Sequence, residues 1–401
     1  MNAFEWRATA SLAAIFGLRM LGLFIVLPVF AIYARALPGG DSLTLVGIAL
    51  GAYGLTQAIL QIPFGWLSDR IGRKPAIQIG LVLFVIGSFV AAAGQDLLVV
   101  TAGRALQGAG AISAAIIALT ADLTRDEVRT RAMAFIGSTI GATFAVSLVM
   151  APSLGNLIGV PGIFAMTGAL ALVAMAVVRW VVPDPPFEHH PVAARDGLWM
   201  VVRDPDLVRL DVGVFVLHAV LMSLFVIVPF ELERAGEPVA AHAWIYLWVM
   251  LASVVLMLPA ILFGERGGRA RLTFIGAVAL LLATQVAGLW VAGSAMRIAL
   301  MLTAFFTAFN VLEASLPSRV SRAAPAGTRG IAIGVFSTLQ FLGTFVGAAA
   351  GGWIAQRWGL GGVCLFNAGL LAVWLAAATG MRAVPGTAGG LAVGTGPGKV
   401  I

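Results

Sequence analysis

Glu313 is the one carboxylate of this 401-residue chain that lies well inside an uninterrupted apolar stretch. The other seventeen aspartates and glutamates fall between such stretches, at their ends or near the termini. A charged acid in apolar surroundings costs free energy, so its presence there marks a candidate site for a proton or a cation. Asn310, Glu313 and Pro317 share one helix face by their i, i+3, i+7 spacing. Arg19 and Arg104 also sit within apolar stretches, and a guanidinium there must face protein or water. Arg19 could bind an anion or hold a carboxylate ionised; for both arginines the alternative is structural bonding to carbonyls and polar side chains. His218 is a second proton-binding candidate, because histidine titrates near neutrality, against a plain packing role. Gln57 and Gln61, spaced i, i+4, and Gln340 are placed either to line a cavity or to bond neighbouring helices. Phe24, Phe225, Phe305, Phe306 and Phe309 could form an apolar substrate wall or simply pack.

A second group of chemically active residues is the run Gly65-Trp66-Leu67-Ser68-Asp69-Arg70-Ile71-Gly72-Arg73-Lys74. It lies between two stretches that read as hydrocarbon-buried, and charge of that density does not enter a bilayer. The run reads as a tight hairpin between two membrane helices. Gly65 and Gly72 allow close passage of the backbone, and Arg70, Arg73 and Lys74 face anionic lipid headgroups. On its own terms the run is a topology anchor.

The elements that carry these residues follow from composition. Sixty per cent of the residues are hydrophobic and 11% charged, where a globular domain has about 25% charged residues. Mean hydropathy is +0.99. Crossing a bilayer takes about 20 mostly apolar residues, and the chain divides into twelve such pieces: 10–36, 43–66, 76–94, 97–120, 132–154, 160–182, 210–231, 243–263, 272–292, 297–316, 330–350 and 361–379. The expected fold is therefore an all-α membrane protein with 12 transmembrane helices. The first stretch has no basic n-region and no cleavage site, so it is expected to be retained as a helix. With the N-terminus placed in the cytoplasm, nineteen of the twenty-five lysines and arginines fall on that side and four on the other. That is the positive-inside distribution, and it puts both termini in the cytoplasm. The net charge of +7 is thus a matter of topology, and no nucleic-acid partner is expected.

Segment 183–209, with Pro185-Pro186 and His189-His190, is the longest polar piece and separates two six-helix halves, 1–182 and 210–380. Its second part, 197–208, reads as a surface amphipathic segment interrupted at Pro205. The Gly-rich tail 381–401 reads as disordered. The halves are related in sequence. Leu23 to Pro28 matches Leu224 to Pro229; Asp69 to Arg73 matches Glu265 to Arg269; Thr130-Arg131 matches Thr328-Arg329. Parallel repeats of this kind place a substrate site at their interface near midplane. Cys364 is the only cysteine, which excludes an internal disulfide and a cysteine-based metal site. No phosphate-binding loop, HExxH or Gly-x-Ser-x-Gly occurs, so an ATP-driven pump or a hydrolase has no support and no cofactor is expected.

The hairpin pattern, G-x-x-x-D-R-x-G-R-[KR], resembles the signature loop of the major facilitator superfamily. Gly17 to Gly22, Gly54 to Pro75, Gly103-Arg104-Ala105-Leu106-Gln107-Gly108 and Phe309 to Glu313 extend the resemblance to its multidrug-like proton antiporters, in particular the YajR-type subgroup. The antiporter signature of the fifth helix is present in part, as Gly141 and Ala151-Pro152-Ser153-Leu154-Gly155. The resemblance implies a monomeric, multi-pass transporter of the inner cell membrane, without the soluble C-terminal domain usual in that subgroup. It implies proton-coupled efflux of small apolar or cationic compounds by alternating access. Arg104 with Gln107 and Gly108 would belong to proton coupling. Asp69 would point at the N-terminus of the eleventh helix near Thr328 to Gly330, and Arg73 would pair with Asp122, forming a latch of the cytoplasmic gate. The competing readings are proton-coupled symport of a polar or anionic metabolite and a non-transporting membrane sensor.

Overall fold

The computed structural model describes residues 1–184, 195–265, 269–325 and 328–380, and the regular structure among them is helical throughout. In chain order the helices are α1 (Ala3–Phe24), α2 (Leu27–Arg35), α3 (Leu43–Ile71), α4 (Arg73–Ala93), α5 (Leu97–Ala109), α6 (Ser113–Asp122) and α7 (Asp126–Trp180). They continue with α8 (Arg195–Arg203), α9 (Pro205–Arg234), α10 (His242–Glu265), α11 (Ala270–Ala287), α12 (Ala295–Ala323) and α13 (Arg329–Thr379). Among the described residues, ten helical stretches are long and apolar enough to cross a membrane. Two of the ten, α7 and α13, take up the predicted helix pairs 132–154/160–182 and 330–350/361–379. Each is broken once, at Gly159 (φ 68°, ψ 167°) and at Gly359 (φ 60°, ψ −156°), backbone geometry that side-chain-bearing residues adopt only under strain.

Three other boundaries differ from the sequence-based expectation. The first predicted helix is split between Phe24 and Leu27, because Pro28 has no N–H to give the Phe24 carbonyl. The fourth is interrupted at residues 110–112, where Gly110 lies against the backbone of Gly80 on α4. Segment 197–208 is not one surface piece. The helix α8 ends at Arg203, and Pro205 opens α9, whose N-cap Asp204 accepts from the amides of Asp206 (2.9 Å) and Leu207 (3.0 Å). Residues 185–194, with the two prolines and two histidines, Arg266 to Gly268 of the second-half hairpin, and the tail 381–401 lie outside the described residues.

The buried apolar residues form two clusters. One gathers α9, α12 and α13 and also takes in Ile25 to Ala34 and Val46 to Leu50. The other collects α1, α4, α6 and their neighbours. Residues early in α3 are therefore packed into the second part of the chain, whereas the end of α3 is not. At Gly51 an added Cβ would lie 2.9 Å from the Cα of Phe345 and 3.0 Å from its carbonyl oxygen. Beyond it, Gln356 Oε1 accepts from the hydroxyls of Ser42 (3.2 Å) and Thr44 (2.9 Å). Toward the other end α3 and α13 part. A methyl group added at Gly330 or Gly334 would meet nothing within 4 Å, and one at Gly65 would touch only Ala114 at 3.9 Å. The seam is shut at the end holding Ser42 and open at the end holding the charged hairpin.

Candidate functional site

The acid of α12 does not stand alone. His218 on α9 and Gln340 on α13 converge on Glu313: the Gln340 Nε2 lies 2.9 Å from His218 Nε2 and 3.4 Å from Glu313 Oε1. His218 Nε2 and Glu313 Oε2 are 3.7 Å apart. Three helices thus aim polar side chains inward at one point, which orients the carboxylate into the bundle. The His218 Nδ1 faces the Val214 carbonyl at 3.1 Å, so that nitrogen carries the hydrogen. In the neutral ring Nε2 then accepts from Gln340. A proton added at Nε2 converts it to a donor, and the Glu313 carboxylate is the acceptor within reach. Asn310, one turn away on α12, donates to Ser253 Oγ at 3.4 Å and not to Glu313.

An aromatic layer closes the space beside this cluster. Phe309 meets the His218 ring edge-on at 5.8 Å between centroids. It also stacks with Phe144 of α7 at 6.0 Å, and Phe144 in turn meets Phe24 at 5.0 Å. Phe305 and Phe306 join the layer, and Phe225 borders it across a crevice shared with Tyr246. Phe144 was not singled out from sequence; one more phenylalanine in an apolar stretch carries no local signal. A groove of about 380 Å³ lies between α1 and α7, lined by Gly17, Leu18, Leu21, Thr139, Thr143 and Val146 among others.

The intramembrane arginines form a separate layer. Arg19 is 2% exposed and donates to Ser113 Oγ (2.8 Å) and to Gln57 Oε1, while Gln57 donates to Gln61 Oε1 at 2.8 Å. Arg104 is fully buried and donates to Gln107 Oε1 (3.3 Å) and the Leu50 carbonyl (3.2 Å). Both guanidiniums lie over the ring of Tyr53, at 5.8 and 5.3 Å from its centroid. Gln57 and Gln61 are thereby spent on Arg19 and on each other. Neither arginine approaches Glu313 within salt-bridge distance.

In the hairpin, Arg73 binds Asp69, Ser68 Oγ (2.7 Å) and Asp122 Oδ2 (3.1 Å). Asp69 makes no hydrogen bond to α13 among the described residues, and Thr328 turns its hydroxyl to the Pro325 carbonyl. Gly72 takes φ 97° between α3 and α4, so the tight passage rests on it. Gly65, expected to share that task, instead lies inside α3, half-buried, where an added methyl would touch Ala114 at 3.9 Å. Lys74 donates to the Val182 carbonyl (2.9 Å) and to Asp184 (2.7 Å); that bond and the ammonium charge hold the Asp184 carboxyl below its ordinary value. Arg70 is exposed. On the same side Glu5 accepts from Arg125 Nε at 2.8 Å, which raises the Arg125 guanidinium further.

Asp211 is a buried acid the sequence reading placed at a helix mouth. Because α9 begins at Pro205, Asp211 is its seventh residue, 7% exposed, with Oδ1 unbonded. The Asp-Pro pair at 204–205, an N-cap followed by proline at the first helical position, is the signal that would have moved it inside.

Comparison with known proteins agrees with this architecture. The sequence pattern described as Major Facilitator Superfamily matches residues 12–241. The chain is 44% identical to the "Inner membrane transport protein YajR" of Escherichia coli K12, over 96% of this chain and 85% of that one. It is 26% identical to the "Multidrug resistance protein MdtH" of Aeromonas hydrophila, over 83% and 84%. Among solved structures, a bacterial homologue of the human lysosomal transporter Spinster superposes with a TM-score of 0.77 over 94% of this chain and 97% of that chain, at 12% identity. That likeness concerns the fold.

Proposed function

The chain belongs to the major facilitator superfamily, a family of transporters rather than enzymes, and from that premise we propose that it exports small apolar or cationic compounds in exchange for protons. The observation that carries this reading is the Glu313–His218–Gln340 cluster beside an aromatic layer. A carboxylate next to apolar rings suits an amphiphilic cation, and a proton taken up by Glu313 would exclude that cation. Export then follows by alternating access, each ligand favouring the state it binds better. The two relatives, an inner-membrane transport protein and a multidrug resistance protein by name, support the location and the substrate class.

The membrane arrangement we infer is twelve spans in two six-helix halves, 1–182 and 210–380, with both termini in the cytoplasm. At 1.5 Å per residue, the 55 residues of α7 and the 51 of α13 would each run for about 80 Å, against a hydrocarbon thickness of about 30 Å. Dividing them at Gly159 and Gly359 makes each a pair of spans. The seam that is shut at Ser42 and open at the hairpin then corresponds to an inward-facing state. In it Asp69 is engaged with Arg73; closing the inner gate would bring it to the N-terminus of α13. One chain suffices for this cycle, so the working unit is a monomer.

Flux into proteoliposomes under an imposed pH gradient tests the reading. Proton-driven movement of a lipophilic cation, abolished by Glu313→Gln, is the expected result. Uptake of an anion together with protons would replace it with the symport reading, and absence of flux across a broad ligand set would favour a sensor.

A further inference from the structure

We propose that Arg19, Arg104 and Tyr53 form a binding site for a small monovalent anion, distinct from the Glu313 cluster and independent of which compound the protein exports. Two permanently charged guanidiniums lie within 6 Å of one tyrosine ring, one 2% exposed and the other fully buried. No carboxylate lies within salt-bridge reach of either among the described residues. The acids of this region are engaged elsewhere: Glu5 with Arg125, Asp69 and Asp122 with Arg73, and Asp96 at the N-cap of α5. The acceptors the arginines do find are neutral: a serine hydroxyl, two glutamine carbonyls and one backbone carbonyl.

The atoms left over are informative. Arg19 Nε, Arg104 Nε and Tyr53 Oη are all buried without a hydrogen-bond partner. Buried polar atoms are almost always satisfied, and exceptions point to a missing water or ion. Both Nε groups can only donate, and the tyrosine hydroxyl is free to donate. What fits around such a set is an acceptor, and the two uncompensated positive charges in a low-dielectric interior call for it to be negative. Water would satisfy the hydrogen bonds and leave the charge untouched. The cation–π contacts with Tyr53 hold both guanidiniums to one ring. The ligand chemistry is that of chloride, nitrate or a single carboxylate group.

The test is thermal unfolding of the purified full chain at constant ionic strength, with sodium gluconate replaced stepwise by sodium chloride, bromide, nitrate or acetate. A saturable rise in Tm with the small anions is expected. Tyr53→Phe keeps the ring and the fold but removes one donor, and should raise the half-saturating concentration about fivefold, the equivalent of one hydrogen bond. Arg19→Gln should abolish saturation; if it does not fold, the Tyr53→Phe comparison carries the result. Saturation by halide assigns the site to a free inorganic ion, and saturation by acetate alone assigns it to the carboxylate of a transported molecule. A Tm that does not depend on the anion, or saturation unchanged in Tyr53→Phe, overturns the proposal.

Discussion

Replacing Gly51 by alanine should shift the protein from the conformation described here toward one open at the Ser42 end. The added methyl would lie 2.9 Å from the Cα of Phe345, 3.0 Å from its carbonyl oxygen and 3.1 Å from its ring. Two of these three atoms are backbone, so no rotamer change relieves the contact. Overpacking of a close-packed seam costs about 1–3 kcal/mol. In the proposed cycle the contact exists only while α3 and α13 are pressed together, so the whole cost falls on one of two states and the equilibrium moves by roughly 5- to 150-fold. The assay is the rate of labelling of a single cysteine at Ser42, beside Gln356, by a membrane-impermeant thiol reagent. The chain's own Cys364 is buried. Labelling should accelerate in the Gly51→Ala background, while a cysteine placed at Gly330 becomes protected. Gly343→Ala is the control. There the methyl would overlap the carbonyl oxygen of Phe215 on α9 and lie 3.0 Å from its carbonyl carbon and Cα, within one proposed half, so it should lower the Tm without exchanging accessibility between the two ends. If Gly51→Ala and Gly343→Ala behave alike, α3 and α13 do not separate during the cycle, and the rocking argument fails.

Three further outcomes follow from the site. Asp69→Asn should leave expression and Tm unchanged but slow transport roughly two- to thirtyfold, the range spanned by 0.3–2 kcal/mol of carboxylate–helix interaction; undiminished flux would remove the latch role. Glu313→Gln should uncouple substrate movement from the pH gradient, with a loss of coupling of about 1–3 kcal/mol, read as drug-induced proton release from the purified protein; release equal to wild type would refute the assignment. The Lys74–Asp184 bond lowers the Asp184 carboxyl from its ordinary value of 3.8, so its contribution is present above that value and lost as the pH falls through the lowered one. Hydrogen exchange at the end of α7 should therefore accelerate below about pH 4 in the wild type and already at neutral pH in Asp184→Asn. Equal protection in the two proteins at pH 7 would dismiss the tie.

Much of this protein is legible along the chain because membrane insertion is decided locally. Twenty apolar residues specify a helix wherever they occur, and the placement of lysine and arginine between them orders the topology. The same local logic picked out Glu313, Arg19 and Arg104, since an ionised group in an apolar stretch stands out without any knowledge of its neighbours. Its limits are equally physical. Hydropathy divides α7 and α13 into two helices each, as the backbone does at Gly159 and Gly359, but it does not say that a single glycine makes the turn. Asp211 was misplaced because the beginning of α9 depends on a cap and a proline rather than on hydropathy.

What the linear chain cannot supply is partnership. His218 and Gln340 are 122 residues apart, Arg19 and Ser113 are 94 apart, and no periodicity connects them. Only packing decided that Glu313 lies beside a histidine, that two arginines share one tyrosine, and that Phe144 completes an aromatic layer built from another part of the chain. It also decided that the Ser42 end is shut. The reason lies in the energetics: burial in lipid is a property each segment has by itself, whereas a hydrogen bond or a close contact exists only once two segments have been brought together.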